Sequence, residues 1–430
     1  MGILMLGAGL QGTEISLRAT LEGFPAPVTG AVMSCYYLGY MGGTAAAPRL
    51  VRSVGHIRVF AAMAALASAT ILVQGMFIHP VSWALLRLAS GFCFAGIYVV
   101  AESWLNDRAS RATRGRLLAI YMAVLYIGLG SSQFLLIPTG PRTDTPFMLV
   151  AALISLAMVP IVIAAQRAPE MEVPRRVRYR ELYANSPLGV VAVTVSGMVS
   201  SVIFSMGPVY ARLSGLGTSG VATFMAVSVL SAVVTQYPVG RLSDRIDRRT
   251  VMASICVLAT LCAAALAAFA DMPHALFLTL TAFFSGSALT LYSLAVSHVN
   301  DHLEPSQMVA ASSALLRLNG VGAAISPIVV GTLIAGFGPP AYFAALAGLT
   351  GLLTAYDLWR KTRRHPPPPA LKRPFLAAQP QAAVGRIVAG RGHRCDEIAG
   401  TGPQAGLSPS GHHRTGASGR SSARGRVRSR

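Results

Sequence analysis

The chain has 430 residues, 53% of them hydrophobic and only 12% charged, which excludes an ordinary soluble protein of this size and makes lipid the solvent for most of it. The formal net charge of +20 does not mark a nucleic-acid partner: from Arg360 onward the tail holds fourteen other Lys and Arg, and the rest lie mainly in short loops instead of on one continuous basic face. Cys35, Cys93, Cys256 and Cys262 sit in apolar stretches as small packing residues and Cys395 stands alone in the polar tail, so neither a disulfide framework nor a metal quartet follows.

Apolar runs of roughly 17 to 25 residues bounded by charges, Gly or Pro mark membrane spans. The first covers approximately 1–18. With no basic n-region or small-residue cleavage site, it reads as a span and not as a removable signal. It is shorter than the about 20 residues a span needs, which leaves room for a few cytoplasmic residues upstream. Eleven more runs follow, at approximately 28–47, 59–78, 82–105, 117–137, 147–165, 188–209, 221–239, 251–270, 275–297, 310–335 and 341–358.

The loops between these runs are sorted by charge. Those on one side carry Arg49, Arg52 and Arg58, then Arg108, Arg111, Arg114 and Arg116, then Arg167, Arg175, Arg176, Arg178 and Arg180, then Arg241, Arg245, Arg248 and Arg249, whereas the other side carries only Arg18, Arg142 and Arg212. Positive loops stay inside, so both termini are expected in the cytoplasm of a multi-pass inner-membrane protein.

The loop from Gln166 to Ser186 is the longest and most charged internal one, and it divides the chain into a six-helix bundle at 1–165, a central loop at 166–187 and a second bundle at 188–360. The halves repeat: Tyr98-x-x-Ala101-x-Ser103-x-x-Asn106-Asp107 closes the fourth span and Tyr292-x-x-Ala295-x-Ser297-x-x-Asn300-Asp301 the tenth, 194 residues later. The basic tail is set at 361–430, and after Arg364 four prolines and then Gly, Ser, Arg and His without apolar periodicity cannot bury enough surface to fold. It is either a biological extension or an out-of-frame reading of the gene's end. The expected fold class is an all-α membrane protein of twelve transmembrane helices in two pseudo-symmetric six-helix bundles.

Between spans eight and nine stands Gly240-Arg241-Leu242-Ser243-Asp244-Arg245-Ile246-Asp247-Arg248-Arg249. This resembles the signature loop of the major facilitator superfamily, with Asp247 where a second glycine is usual. The resemblance implies a latch at the cytoplasmic end, in which Asp244 faces the start of span eleven and Arg248 reaches Asp301, with Arg245 and Arg249 beside them. The plainer alternative is that these charges are topology signals in a wet loop. In the first half the equivalent stretch runs from Pro48 to Arg58; Leu50 and Gly55 fit, the expected acid is Arg52, and Asp107 is left to pair with Arg58 or Arg52. Arg87-x-x-x-Gly91-x-x-x-x-Gly96 is close to the superfamily's fourth-helix pattern, and span eleven, with Arg317, Asn319, Gly320, Gly322, Ser326-Pro327 and Gly331, resembles its hinge helices. Span five has Gly128 and Gly130 but lacks the Gly-Pro pair of proton-coupled drug antiporters. The opening Gly7 to Thr13, Leu17 to Phe24, Ala47 to Arg52, Val54 to Arg58 and the Glu102-Ser-Trp-Leu-Asn stretch are similar to the YcaD-like group, over about Met1 to Arg364.

Polar and ionisable side chains inside spans are functional candidates by default. They are Gln11, Glu14 and Arg18 on span one, Tyr36, Tyr37 and Tyr40 on span two, Arg87 and Glu102 on span four, Tyr121, Tyr126 and Gln133 on span five, and Gln236, Tyr292, His298, Arg317 and Asn319 in the second half. Glu102 is the first choice as a proton carrier, because burial favours the neutral carboxyl; its alternative is an ion pair with an arginine at the rim. Glu14 is the second, its alternative being a position near the outer leaflet paired with Arg18 four residues on. Arg87 either faces a wet cavity or snorkels to the interface. His298 and His302 share a helical face, but with no further ligands at zinc spacing they read as a polar helix end. The tyrosines line a cavity or anchor at interfaces.

No G-x-x-x-x-G-K-[ST] sequence occurs and neither H-E-x-x-H nor G-x-S-x-G, so neither ATP drive within the chain nor an enzyme is expected. The reading is a monomeric secondary active transporter without cofactors, moving a small solute by alternating access, with the proton as the candidate coupling ion and export one of the directions open to it. The alternative is a membrane sensor or assembly protein that kept the fold and lost transport.

Overall fold

The computed structural model describes residues 1–108, 114–163, 179–269, 272–304, 307–363 and Phe375, with the backbone alone at 106–108, 114–115 and 309–310. The side chain of Asp107, most of the central loop and nearly all of the tail therefore lie outside the described residues.

The elements are α1 (Gly2–Leu21), α2 (Ala26–Val54), α3 (His56–Met76), α4 (Pro80–Arg108), α5 (Arg114–Ser131), which runs on through a 3-10 turn (Ser132–Leu135) into the short α6 (Leu136–Thr139), α7 (Thr145–Ile163), α8 (Tyr179–Asn185), α9 (Pro187–Leu213), α10 (Thr218–Arg245), α11 (Arg248–Ala268), α12 (His274–Asn300), α13 (Met308–Phe337) and α14 (Ala341–Arg363). Ten of the spans they make are both long and apolar enough to cross a membrane. Of the remaining long helices, α1 and α2 have the length but not the apolarity: α1 carries Gln11, Glu14 and Arg18, and α2 carries Tyr36, Tyr37, Tyr40 and Pro48. Both bury much of this polar surface inside the protein, as lipid demands. The structure also places α8 in the stretch expected as loop, and α14 continues to Arg363, past the expected start of the tail.

Punctuation is local. Pro sits in the first turn of α2 and of α9, where its missing N–H costs nothing. Gly55, at φ 93°, is the whole connection between α2 and α3, a backbone state that residues with a Cβ rarely adopt. Asp247 caps α11 by accepting the Arg249 N–H at 3.0 Å.

In the first half α2 packs on α4, α3 on α4 and α7, and α1 on α5 and α7; in the second α9 packs on α13, α10 on α12, and α11 on α12 and α14. Between halves, α2 meets α13 and α5 meets α10. These contacts exchange under the repeat, since each joins the second long helix of one half to the fifth of the other. Glycines set how close they come: a Cβ at Gly30 would strike the Pro327 carbonyl, one at Gly331 the Ala26 carbonyl and one at Gly130 the Leu230 side chain. Gly30 and Ala26 lie at the start of α2, and Pro327 and Gly331 in the later half of α13, so this seam closes the end remote from both helix-chain ends, Gly2 and Arg363.

Candidate functional site

Three groups of polar side chains stand out, one at the end carrying Gly2 and Arg363, one inside the first half and one between the halves.

At the first, Arg248 of α11 is 2% exposed and donates to Asp301 Oδ2 at 2.9 Å, to the Ser297 carbonyl at 2.7 Å and to Asp244 Oδ1 at 3.3 Å. It therefore ties the signature loop to the end of α12. Asp244, 43% exposed, also accepts the backbone N–H of Phe375 at 2.8 Å, and the ring of Phe375 lies where a Cβ on Gly240 would be. Arg245 is exposed, and Arg249 is buried within electrostatic reach of Asp357, a buried acid on α14 that sequence reasoning passed over. The first half has its own version. His56 Nε2 shares a hydrogen bond of 3.0 Å with Ser103 Oγ, and its ring stacks on Trp104 at 6.2 Å. His56 precedes Arg248 by 192 residues and Ser103 precedes Ser297 by 194, so an imidazole occupies the position that a guanidinium holds in the second half. Aligning the two loops on Leu50 and Leu242, 192 residues apart, is the signal that would have found it, whereas the 194-residue offset of the span-end repeat sets His56 against Thr250. Arg52 and Arg58 are exposed, and their expected partner Asp107 has its side chain outside the described residues.

Inside the first half, Gln11 Nε2 donates to Ser90 Oγ at 3.1 Å, linking α1 to α4, and Thr13 donates to Gln133 Oε1 at 2.6 Å, linking α1 to the turn after α5. Glu14 departs from expectation. It is not near the surface: it is fully buried, neither carboxylate oxygen accepts a hydrogen bond, and Arg18 lies within its electrostatic reach without closing an ion pair on it. Arg18 instead pairs with Glu22 at 2.6 Å and donates to the Pro141 and Thr143 carbonyls at 3.3 and 3.2 Å, because the last turn of α1 and the adjoining loop offer acceptors that lie closer. Arg87 does not reach the interface either. It is buried, its guanidinium rests 4.4 Å from the centroid of Tyr36, and it forms no ion pair among the described residues. Glu14 is three residues after Gln11 and Arg87 three before Ser90, so on antiparallel helices the two stand level, one turn from the Gln11–Ser90 bridge.

Between the halves, Glu102 of α4 is buried within electrostatic reach of Tyr40 on α2, Tyr98 on α4, Tyr121 on α5 and Tyr292 on α12. All four phenols are buried, with the Tyr40 and Tyr98 rings 6.3 Å apart. The Tyr121 hydroxyl makes no hydrogen bond, a loss of about 1–3 kcal/mol for a buried donor. Tyr36 stacks on Tyr40 at 6.3 Å, so an aromatic column runs from Arg87 toward Glu102. Gln236 of α10 donates to Ser293 of α12 at 3.0 Å, and Asn319 of α13 to the Val193 carbonyl of α9 at 3.0 Å; these two join helices of the second half. Tyr126 is buried, whereas Arg317 is exposed. His298 and His302 lie 4.7 Å apart, and among the described residues no group of three His, Cys, Asp or Glu could hold a metal ion.

A family profile described as Major Facilitator Superfamily matches residues 2–315 and 190–394. An uncharacterised MFS-type transporter of Enterobacter sp. (strain 638) is 30% identical over 374 residues, spanning 86% of this chain and 95% of that one. The uncharacterised MFS-type transporter YcaD of Escherichia fergusonii is 27% identical over 350 residues, spanning 81% and 90%. Among solved structures, a variant of the nucleoside transporter NupG superposes with a TM-score of 0.71 at 15% identity, covering 84% of this chain and 98% of that one. A bacterial homologue of the human lysosomal transporter Spinster, inward-facing and occupied, superposes at 0.68 and 14% identity, covering 84% and 95%.

Proposed function

This chain belongs to the major facilitator superfamily of membrane transporters, in its YcaD-like group, and from that premise we propose that it is a gradient-driven secondary transporter moving a small solute across the inner membrane by alternating access. It is a transporter and not an enzyme. The observation that carries the mechanism is a polar, aromatic site buried between two halves whose helices seal against each other at one end. Twelve spans with the arginine-rich loops inside put both termini in the cytoplasm. The sealed end is then periplasmic, and this is an inward-facing state.

Proton coupling is assigned to Glu14 and Arg87. A lone buried carboxylate or guanidinium is costly in a low-dielectric interior, and each here lacks an ion-pair partner among the described residues. Protonation removes the charge of Glu14; deprotonation leaves it with Arg18, one turn on along α1, as the cation within its electrostatic reach, and with Arg87 level with it on α4 beyond the Gln11–Ser90 bridge. Drawing α1 and α4 together or letting them part would couple proton occupancy to rocking of the first half.

The test starts with a thermal-shift screen of small solutes on the purified full-length chain, whose hits are taken into proteoliposomes. Glu14→Gln is expected to lose pH-gradient-driven accumulation of a hit by at least about tenfold while solute counterflow at symmetric pH persists. Accumulation at the wild-type level in that variant would move the coupling site elsewhere, and absence of counterflow for every hit would favour a sensor.

A further inference from the structure

Resting on that transporter reading, we infer that Arg87 and the tyrosines of α2 form the seat for an organic anion, a carboxylate carried on an aromatic or apolar body. Arg87 is 4% exposed, yet it forms no ion pair among the described residues and its Nε–H meets no acceptor. What it has is a ring: the guanidinium carbon lies 4.4 Å from the centroid of Tyr36. A ring face attracts the charge but offers no oxygen, so the fork of N–H groups that matches the two oxygens of a carboxylate stays unused. The side chains that act on Arg87 electrostatically are Tyr36, Tyr37 and Cys35, and none of these carries a carboxylate. Glu14, level with it on α1, closes no ion pair on it. A cation buried in this way costs stability until an anion reaches it. A cationic solute would be repelled there, and a neutral one would leave the charge uncompensated.

The packing puts this group beside the seam between the halves. On α2, Gly30 faces Pro327 and Met41 faces Gly320, both on α13; Tyr37 is seven residues after the first and four before the second, on the same helical stripe. The neighbouring stripe of α2 faces α4, since a Cβ at Gly39 would strike the Leu88 carbonyl and one at Gly91 the Tyr36 carbonyl. Tyr36 therefore turns to Arg87, whereas Tyr37, edge-on to Tyr36 at 5.5 Å and 89°, stands on the stripe that meets the second half. Both tyrosines are half-buried, and Phe94, 6.3 Å from Tyr36, extends the apolar wall for the body of the solute. A carboxylate drawn to Arg87 and to the Tyr37 hydroxyl would thus sit where the approach of α13 is felt.

The probes are 2-naphthoate, the neutral 2-naphthamide and the cationic 2-naphthylmethylammonium, which share one aromatic body and differ in charge. In calorimetric titration of the purified full-length protein, 2-naphthoate is expected to bind saturably and at least about tenfold more tightly than the amide, with no competition from the ammonium. Arg87→Gln should weaken this binding by at least about tenfold, and Arg87→Lys, which keeps the charge and loses the fork, several-fold. Tyr37→Phe, which removes only the hydroxyl, should weaken it by about two- to fivefold. Without probe, Arg87→Gln should melt at or above the wild-type temperature, because it removes a buried charge that the protein does not pair. The probe should raise the melting temperature of wild type and leave that of Arg87→Gln unmoved. No saturable binding to folded wild type, equal affinity for the amide, or unchanged affinity in Arg87→Gln would overturn the inference. So would an Arg87→Gln protein that melts well below wild type, since Arg87 would then serve the fold. Naphthoate binding without counterflow would keep this site and remove the transport reading, whereas counterflow of a cationic or neutral solute with no naphthoate binding would do the reverse.

Discussion

Arg248→Ala is expected to cost the folded protein about 3–5 kcal/mol, visible as a large drop in melting temperature and in monodisperse yield, because it strips a buried ion pair of its cation. Arg248 is 2% exposed and the Asp301 side chain 3%, so water cannot take over from the guanidinium. The Ser297 carbonyl loses its 2.7 Å donor as well. The neighbouring Asp244 provides the contrast. Its side chain is 43% exposed and its contact with Arg248 is longer, at 3.3 Å, so Asp244→Asn should cost no more than about 1 kcal/mol. Adding Asp301→Asn to Arg248→Ala should recover part of the loss, since the acid then no longer needs a cation. Equal destabilisation by Asp244→Asn and Arg248→Ala would show that the pair to Asp301 is not what secures this corner.

Gly30→Leu should shift the resting conformation more than it lowers stability. A side chain at that position points into the Pro327 carbonyl across the seam between the halves, and backbone cannot give way as a side-chain tip can. The strain falls only on the state in which α2 and α13 touch, so the opposite state is favoured; each 1.4 kcal/mol of difference moves the ratio about tenfold. The measurement is labelling of a Thr29→Cys reporter by a membrane-impermeant maleimide added outside, Thr29 being fully buried next to the seam. Labelling should rise by about tenfold or more when Gly30→Leu is added. An unchanged rate would mean that the seam does not gate access at this end.

What the sequence made legible was whatever depends on composition or on repetition. Apolar runs gave the helices, and the repeated Tyr98 and Tyr292 stretches placed Asp301 where Arg248 finds it. Hydropathy alone was weakest on α1 and α2, because helices that turn polar side chains into a membrane protein are not uniformly apolar. The Glu14 and Arg18 spacing keeps the two within electrostatic reach, yet the ion pair goes to Glu22. Spacing cannot see that Arg18 lies in the last turn beside Glu22 and a loop rich in carbonyls, or that Glu14 faces the interior. Partners of glycines were also out of reach: Gly30 in the sequence is a break in side-chain bulk, and only the packing shows that Pro327 fills it. Phe375, a single aromatic residue in a basic stretch, carries no periodic signal at all, yet its backbone meets Asp244.

The contrast between His56 and Arg248 bears on how the two halves would swing. The second half is fastened to the end of α12 by a permanent cation with three acceptors, the first to the end of α4 through an imidazole bonded to Ser103 and stacked on Trp104. The repeat has thus kept the corner and exchanged its chemistry, a charge-bearing anchor in the second half and an aromatic, hydroxyl-bonded one in the first.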